Sequence, residues 1–517
     1  MNKYIKIIFV LFIASSLSSC DLDRYPRHQI VTNESFSSVA DARNWDNGIF
    51  SFLRLRLYGD FTLTQDVMAD QLNAVSDFGN RRGWVHQWAP VNAGDGTMLS
   101  MWTSYYQAIR NVNFIIGMMP GLKEYLDSQP GGMSVADEAT LNRFLGNAHM
   151  ARAFYYHMLV IRWGSAAYNP ATAATELGVP LVKTFDVNER PARATLQDTY
   201  AFILSELAEA RRLLAGVAGT PRSPRFTIDT VDALEARVRL HMQDWAGAHT
   251  VATRLITPNR YPLETTVAGL ENLWVNDNSP EVIMLMHLAE PTERAGTGND
   301  IYLSRQAGRP TYFRPDFLPS QWVVDMFPAN DIRRSVYFSN ANNVEVAGMV
   351  HTGIYRVQKF RGNPAIPGSQ DGGSGNATAV SNLQAPIVFR IAEQYLIAAE
   401  AAFRAPTLTD AQALAPLNAL RVARGLPALP AGTTGNDLWQ AIYDERFREL
   451  AFEGFRLFDL HRWGQGFTRR APQNPDILMP GSLFTSLSIA ADYFKWAWPI
   501  PSNDINTNPN IVQNYGW

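Results

Sequence analysis

The chain has 517 residues, 46% of them hydrophobic and 11% aromatic, a make-up that supports a sizeable core and excludes a disordered or collagenous chain. With 45 Lys and Arg against 48 Asp and Glu the formal net charge is −3, so no long-range pull on nucleic acid or anionic lipid is expected. The single cysteine, Cys20, excludes an internal disulfide, and no Cys/His cluster has the spacing of a zinc site.

At the N-terminus, Lys3 and Lys6 precede the apolar stretch 7–14 (IIFVLFIA), and small residues lead to Leu17-Ser18-Ser19-Cys20. That order predicts a lipoprotein signal over 1–19. The apolar run is too short to cross a ~30 Å hydrocarbon core, which takes about 20 residues as helix. Cleavage would leave Cys20 as the first residue of a body at 20–517, its thiol acylated, and each buried CH₂ of the acyl chains adds about 0.8 kcal/mol of membrane attachment. No later stretch is apolar enough to span a bilayer.

Helical periodicity dominates the body. From Trp102, residues Tyr105, Ile109, Val112, Ile115 and Ile116 recur at three and four, and the run from Leu141 to Leu159 does the same. A third helix is expected over about 195–214, and a pair over 231–242 and 245–256. The alanines of that pair resemble tetratricopeptide helix pairs, in which small side chains let two helices approach closely. Three more helices are expected over 387–403, 408–424 and 438–453, the second stopped by Gly425 and followed by Pro427. The fold class is therefore mainly α, a tetratricopeptide-like scaffold at about 36–257 and 387–464. Loop-rich inserts at about 60–100, 258–386 and 465–517 form an irregular cap, and loops that long are usually functional. Residues 281–286 (EVIMLM) read as a buried strand or a short helix, and 320–327 as a short amphipathic helix that places Trp322 in the core.

Glu445, Glu449 and Glu453 fall on one helix face at i, i+4 and i+8, with carboxyl spacing near that of a retaining glycosidase. Acids on successive turns of one helix point the same way, whereas a glycosidase flanks its sugar from two sides. A structural network with Arg446, Arg448, Arg456 and Arg462 is expected instead, and no catalytic residue is assigned. The nine histidines are scattered, and no nucleophile elbow or phosphate loop occurs, so neither metal nor cofactor is expected. The loop 77–88 (DFGNRRGWVHQW) joins two tryptophans to Asp, Asn and Arg. Flat apolar faces beside hydrogen-bonding groups suit a carbohydrate, although such rings also plug cores beneath long loops. Candidate ligand residues are Asp77, Asn80, Arg81, Arg82, Trp84 and Trp88, with Tyr302 and Tyr312 from a second such stretch at 299–314.

The strings 389–401 (FRIAEQYLIAAEA), 417–426 (LNALRVARGL) and 445–464 (ERFRELAFEGFRLFDLHRWG) are distinctive in combination, as are 498–501 (WPIP) and 513–517 (QNYGW). Together with the Cys20 box and 151–156 (ARAFYY), they make the chain similar, nearly end to end, to the SusD/RagB family of Bacteroidetes surface lipoproteins. The resemblance implies a helical-pair scaffold on the outer leaflet of the outer membrane. It also implies a partner, a SusC-like TonB-dependent β-barrel to which the protein delivers an oligosaccharide by binding and handover, not cleavage. Peptide cargo is the alternative within the same family. Binding sites in the family vary, so the ligand residues above rest on composition and loop position alone.

Overall fold

The computed structural model describes residues 35–76, 81–186, 188–288, 300–303, 305–306, 309–366 and 383–517; Cys20 and the glycine-rich stretch 368–376 lie outside them. The helices that build the scaffold and its edge are α1 (Val39–Arg54), α2 (Asp60–Met68), α3 (Gly83–Gln87), α4 (Gly96–Ser128), α5 (Val135–Trp163), α6 (Leu196–Leu213), α7 (Ile228–His241) and α8 (Trp245–Ile256). They continue with α9 (Ile391–Arg404), α10 (Asp410–Ala423), α11 (Gly435–Leu450) and α12 (Arg456–Arg462). Neighbours in sequence pack on each other: α4 on α5, α5 on α6, α7 on α8, and α9 on α10. Helix α8 also packs on α9, so the scaffold is continuous across the long insert. Ala236, Ala248, Ala252, Ala398 and Ala401 are buried where α7, α8 and α9 meet, and their small side chains permit that close approach.

Helix starts follow local chemistry. Ser134, Thr195, Thr227, Asp244 and Thr409 each accept a first-turn backbone N–H with the side chain. Helix α10 ends as expected at Gly425, whose φ of +79° and contact with the Asn330 carbonyl leave no room for a Cβ. Three expectations change. Helix α2 lies inside the stretch read as loop, because residues 63–68 are all buried and show no polar face to mark a period. Residues 387–390, read as the start of a helix, form a strand. Helix α11 stops at Leu450, and Phe452 and Gly454, both at positive φ, turn Glu453 out of the helix.

The strands are short, and those that matter for the site are β1 (Leu72–Ala74), β2 (Val282–Leu285), β3 (Arg309–Phe313), β4 (Phe317–Pro319), β5 (Val344–Val346), β6 (Met349–His351) and β7 (Ile387–Arg390). The 281–286 run is thus a buried strand, β2, paired with β7 immediately before α9. In the cap β6, β5 and β3 lie side by side in one sheet, and β1 pairs antiparallel with β4 in the register Asn73↔Leu318. That pairing stitches the segment after α2 to the cap. The closing motif is structural: Trp102, Trp163 and Trp498 stack edge to face at 5.3 and 5.4 Å, and Trp163 Nε1 donates to the Pro499 carbonyl at 3.0 Å.

Candidate functional site

The acidic face of α11 is sealed inside the protein. Glu449 Oε1 accepts from Arg390 Nη1 (2.5 Å) and Arg424 Nη2 (2.8 Å), and its Oε2 accepts from Arg333 Nη1 (2.8 Å) and Arg424 Nε (2.9 Å). Burial alone would raise its pKa, but Arg424, Arg390 and Arg333 hold the carboxyl well below the usual range. Glu445 pairs with Arg333 and Arg448, and Glu453 with Lys359 and Arg390. The acids are structural as expected, with Glu445 and Glu449 fully buried, but of the four arginines expected to serve them only Arg448 does, and the other cations come from distant segments. Arg446 and Arg462 serve Asp459, Arg462 also meets Glu400, and Arg456 serves Asp70. Locked carboxylates of this kind hold the fold together and are not placed to move protons.

The second candidate lies at the cap. Arg82 opens α3 in the left-handed region, at φ +58°, and its Nε donates to Asp60 Oδ1 at 2.9 Å. Arg81 reaches Asp316, Nη2 to Oδ1 at 2.7 Å. The Asp316 backbone N–H donates to the Ile301 carbonyl (2.8 Å), and its own carbonyl accepts from Val75 N–H (2.9 Å). The two stretches singled out in the sequence, around 81–88 and 300–314, therefore meet along one edge. Arg81 has 42% of its side chain exposed, Trp84 is half-buried on the main core, and Tyr312 is half-buried on β3. Leu483, an exposed apolar side chain, lies on the 482–485 helix that packs on α3, and exposed Met349 lies on β6, one strand removed from β3. Arginine–carboxylate pairs present both donors and acceptors, which is what vicinal hydroxyls require.

Two ligand expectations are corrected. Trp88 is 1% exposed, its Nε1 donates to the Met68 carbonyl at 2.8 Å, and its ring packs on Phe467, Tyr493 and Trp496. Tyr302 is fully buried against Phe360 and Phe452. Neither ring faces solvent, because the loops that carry them fold inward beneath the cap and make core there. Asp77 and Asn80 lie outside the described residues. Asp60 and Asp316 were missed: Asp60 starts a helix the sequence did not mark, and nothing local ties Asp316 to Arg81 across the chain. Trp322 is half-buried on Phe447, close to the core role expected of it.

Among the described residues, sizeable hollows lie elsewhere, and those described next are not lined by residues 81–88. One, of about 160 Å³, runs between the turn after α1, α2, α5 and β7; another, of about 600 Å³, is an aromatic groove between α1 and α4 lined by Trp45, Phe52, Phe114 and Phe185. The third, of about 430 Å³, lies beside Arg143 and Leu213.

Comparison with known proteins agrees with this architecture. Residues 325–517 match the model of the SusD family, and residues 50–240 match a related model described as "Starch-binding associating with outer membrane". A SusD-like protein of Formosa agariphila is 25% identical over 441 residues, covering 80% of this chain and 78% of its own length. The starch-binding protein SusD of Bacteroides thetaiotaomicron is 35% identical over 130 residues, 25% of this chain and 21% of its own. Among solved structures, a SusD superfamily protein of Bacteroides thetaiotaomicron superposes with a TM-score of 0.75 at 22% identity, covering 92% of this chain and 99% of the other. A laminarin-binding SusD-like protein does so at 0.66 and 20% identity, covering 92% and 99%. With the two family models together spanning well over half of its length, the chain belongs to the SusD family.

Proposed function

We propose that this chain is a surface lipoprotein of the outer membrane, anchored through acylated Cys20, that captures an oligosaccharide and passes it uncleaved to a SusC-like TonB-dependent β-barrel. The observation that carries the reading is the edge at which Arg81 meets Asp316 and Arg82 meets Asp60, with Trp84 and Tyr312 close in the chain. Trp84 and Tyr312 would offer ring faces to the C–H side of a sugar. Arg81 and Arg82 with their carboxylates would exchange hydrogen bonds with its hydroxyls, and Asp77 and Asn80 adjoin them in sequence. Binding is weak per ring and accumulates along the chain. Relatives described as starch- and laminarin-binding, and a family model described as associating with the outer membrane, support cargo and location. The reading needs no cofactor.

Titration of Trp84→Ala with the cognate glycan tests the site. Loss of one stacking face should weaken binding about tenfold, on the order of 1.4 kcal/mol. Unchanged affinity removes Trp84 from the site. A second reading, peptide cargo on the same scaffold, is favoured by the aromatic groove between α1 and α4, where Asp41, Asn44 and Asn111 sit beside the rings. A peptide panel run beside a glycan array separates the two.

A further inference from the structure

Most strongly buried arginines here face a carboxylate: Arg237 meets Glu393, and Arg333, Arg390 and Arg424 meet Glu449. Two do not. Arg162 on α5, 2% exposed, gives Nη1 to the Met158 carbonyl and Nη2 to the Phe61 carbonyl, both at 2.9 Å, and its Nε is buried with no acceptor. Arg56, just beyond α1 and 5% exposed, gives Nε to the Ser104 carbonyl (2.9 Å) and Nη1 to the Phe52 carbonyl (2.5 Å). Among the described residues neither guanidinium has a carboxylate partner.

Both line the hollow of about 160 Å³, and Tyr105 stands between them, its hydroxyl in the field of both charges. The Arg162 guanidinium carbon lies 5.8 Å from the Tyr105 ring centroid and 5.0 Å from that of Phe458. More hydrogen-bonding capacity on the same walls is unmet: the Tyr105 hydroxyl and both ring nitrogens of His157 are buried without a partner. Burial keeps His157 and the neighbouring His241 neutral. The acids that also line the hollow are each engaged elsewhere, Glu393 by Arg237, Glu453 by Arg390 and Lys359, and Asp459 by Arg446 and Arg462. An interior space with two fixed positive charges and unmet donors is chemically complementary to an anion rich in acceptor oxygens. The half-buried Leu57, Tyr58, Phe61 and Met158 at its margin offer a way in.

We propose that this hollow binds one small oxyanion, a sulfate, phosphate or carboxylate, between Arg56 and Arg162. The anion ties the turn between α1 and α2 to α5. The proposal uses none of the cap residues and stands or falls apart from the glycan reading.

Isothermal titration of the purified protein with sodium sulfate, sodium phosphate and sodium acetate, each at matched ionic strength, tests it. Saturable binding of at least one, with a Kd of about 1 mM or tighter, is expected. Arg56→Gln and Arg162→Gln should each weaken it at least about tenfold. Crystals soaked in selenate supply a readout that needs no variant, with an anomalous peak expected within hydrogen-bond reach of both guanidinium groups. No saturable binding of any of the three anions overturns the proposal. So does a hollow that holds only water in the selenate map, or binding that survives both substitutions.

Discussion

Replacing Trp88 by Ala separates a core tryptophan from a sugar platform. Its indole is 1% exposed, meets the rings of Trp496, Phe467 and Tyr493 at 5.1, 5.9 and 6.0 Å, and supplies the hydrogen of a 2.8 Å bond to the Met68 carbonyl. Removing a buried indole destabilises by about 3–5 kcal/mol, and the orphaned Met68 carbonyl places Trp88→Ala toward the upper end of that range. Trp88→Phe keeps most of the packing and should lose about 1–2 kcal/mol. The Lys495 ammonium, which meets the carbonyls of Trp88, Ala89 and Val91, anchors the backbone in both variants, so the damage should stay local. Urea unfolding followed by circular dichroism reads the loss as a lower midpoint, and glycan titration of the folded protein should return the wild-type affinity. A Trp88→Ala protein with an unchanged midpoint and a lost glycan affinity would refute the burial argument.

Glu449→Gln removes the charge that three guanidinium groups share, and should destabilise by about 3–5 kcal/mol in the same unfolding assay; an unchanged midpoint would contradict the network described for α11. Burial pushes the Asp66 carboxyl from 3.8 up to about 7, so between those values the folded chain holds a proton that the unfolded chain has lost, and the wild type loses stability as pH rises through that window. Asp66→Asn cannot titrate there, and its stability relative to wild type should rise from pH 4 to 7 by up to about 1.4 kcal/mol per pH unit, read from paired denaturation curves; a flat difference would count against it. His86, His157 and His241 are held neutral by burial well below the ordinary histidine value, and His461 is lowered to about 4. Their contribution is present above about pH 6.5 and lost as pH falls below it, so His157→Phe should flatten the acid limb of the stability profile; an acid limb as steep as that of the wild type would exclude His157 from it.

The scaffold was legible where one helix face is apolar and the other wet, as in α6 and α8, and where Gly425 closes α10. Helix α2 was not, because burial of residues 63–68 erases the alternation that marks a helix. The acids of α11 read correctly as structural, since their chemistry fails on geometry alone. Which arginines meet them did not, because Arg333, Arg390 and Arg424 arrive from segments that only the folded chain brings near. The loop tryptophans mark the limit of composition. Trp84 and Trp88 share one short stretch, yet one stays half-buried and the other plugs the core, a difference set by the Trp496, Phe467 and Tyr493 rings that close over Trp88 from the C-terminal insert. For Arg81 and Asp316, the loop position was readable and the partner was not.

The most direct measurement is calorimetric titration of the purified protein with a panel of oligosaccharides and a matched panel of peptides, with the sugars recovered afterwards and sized. Saturable binding of at least one oligosaccharide, returned at its original length, is the predicted result. Cleaved sugar, or binding confined to peptides, contradicts the account.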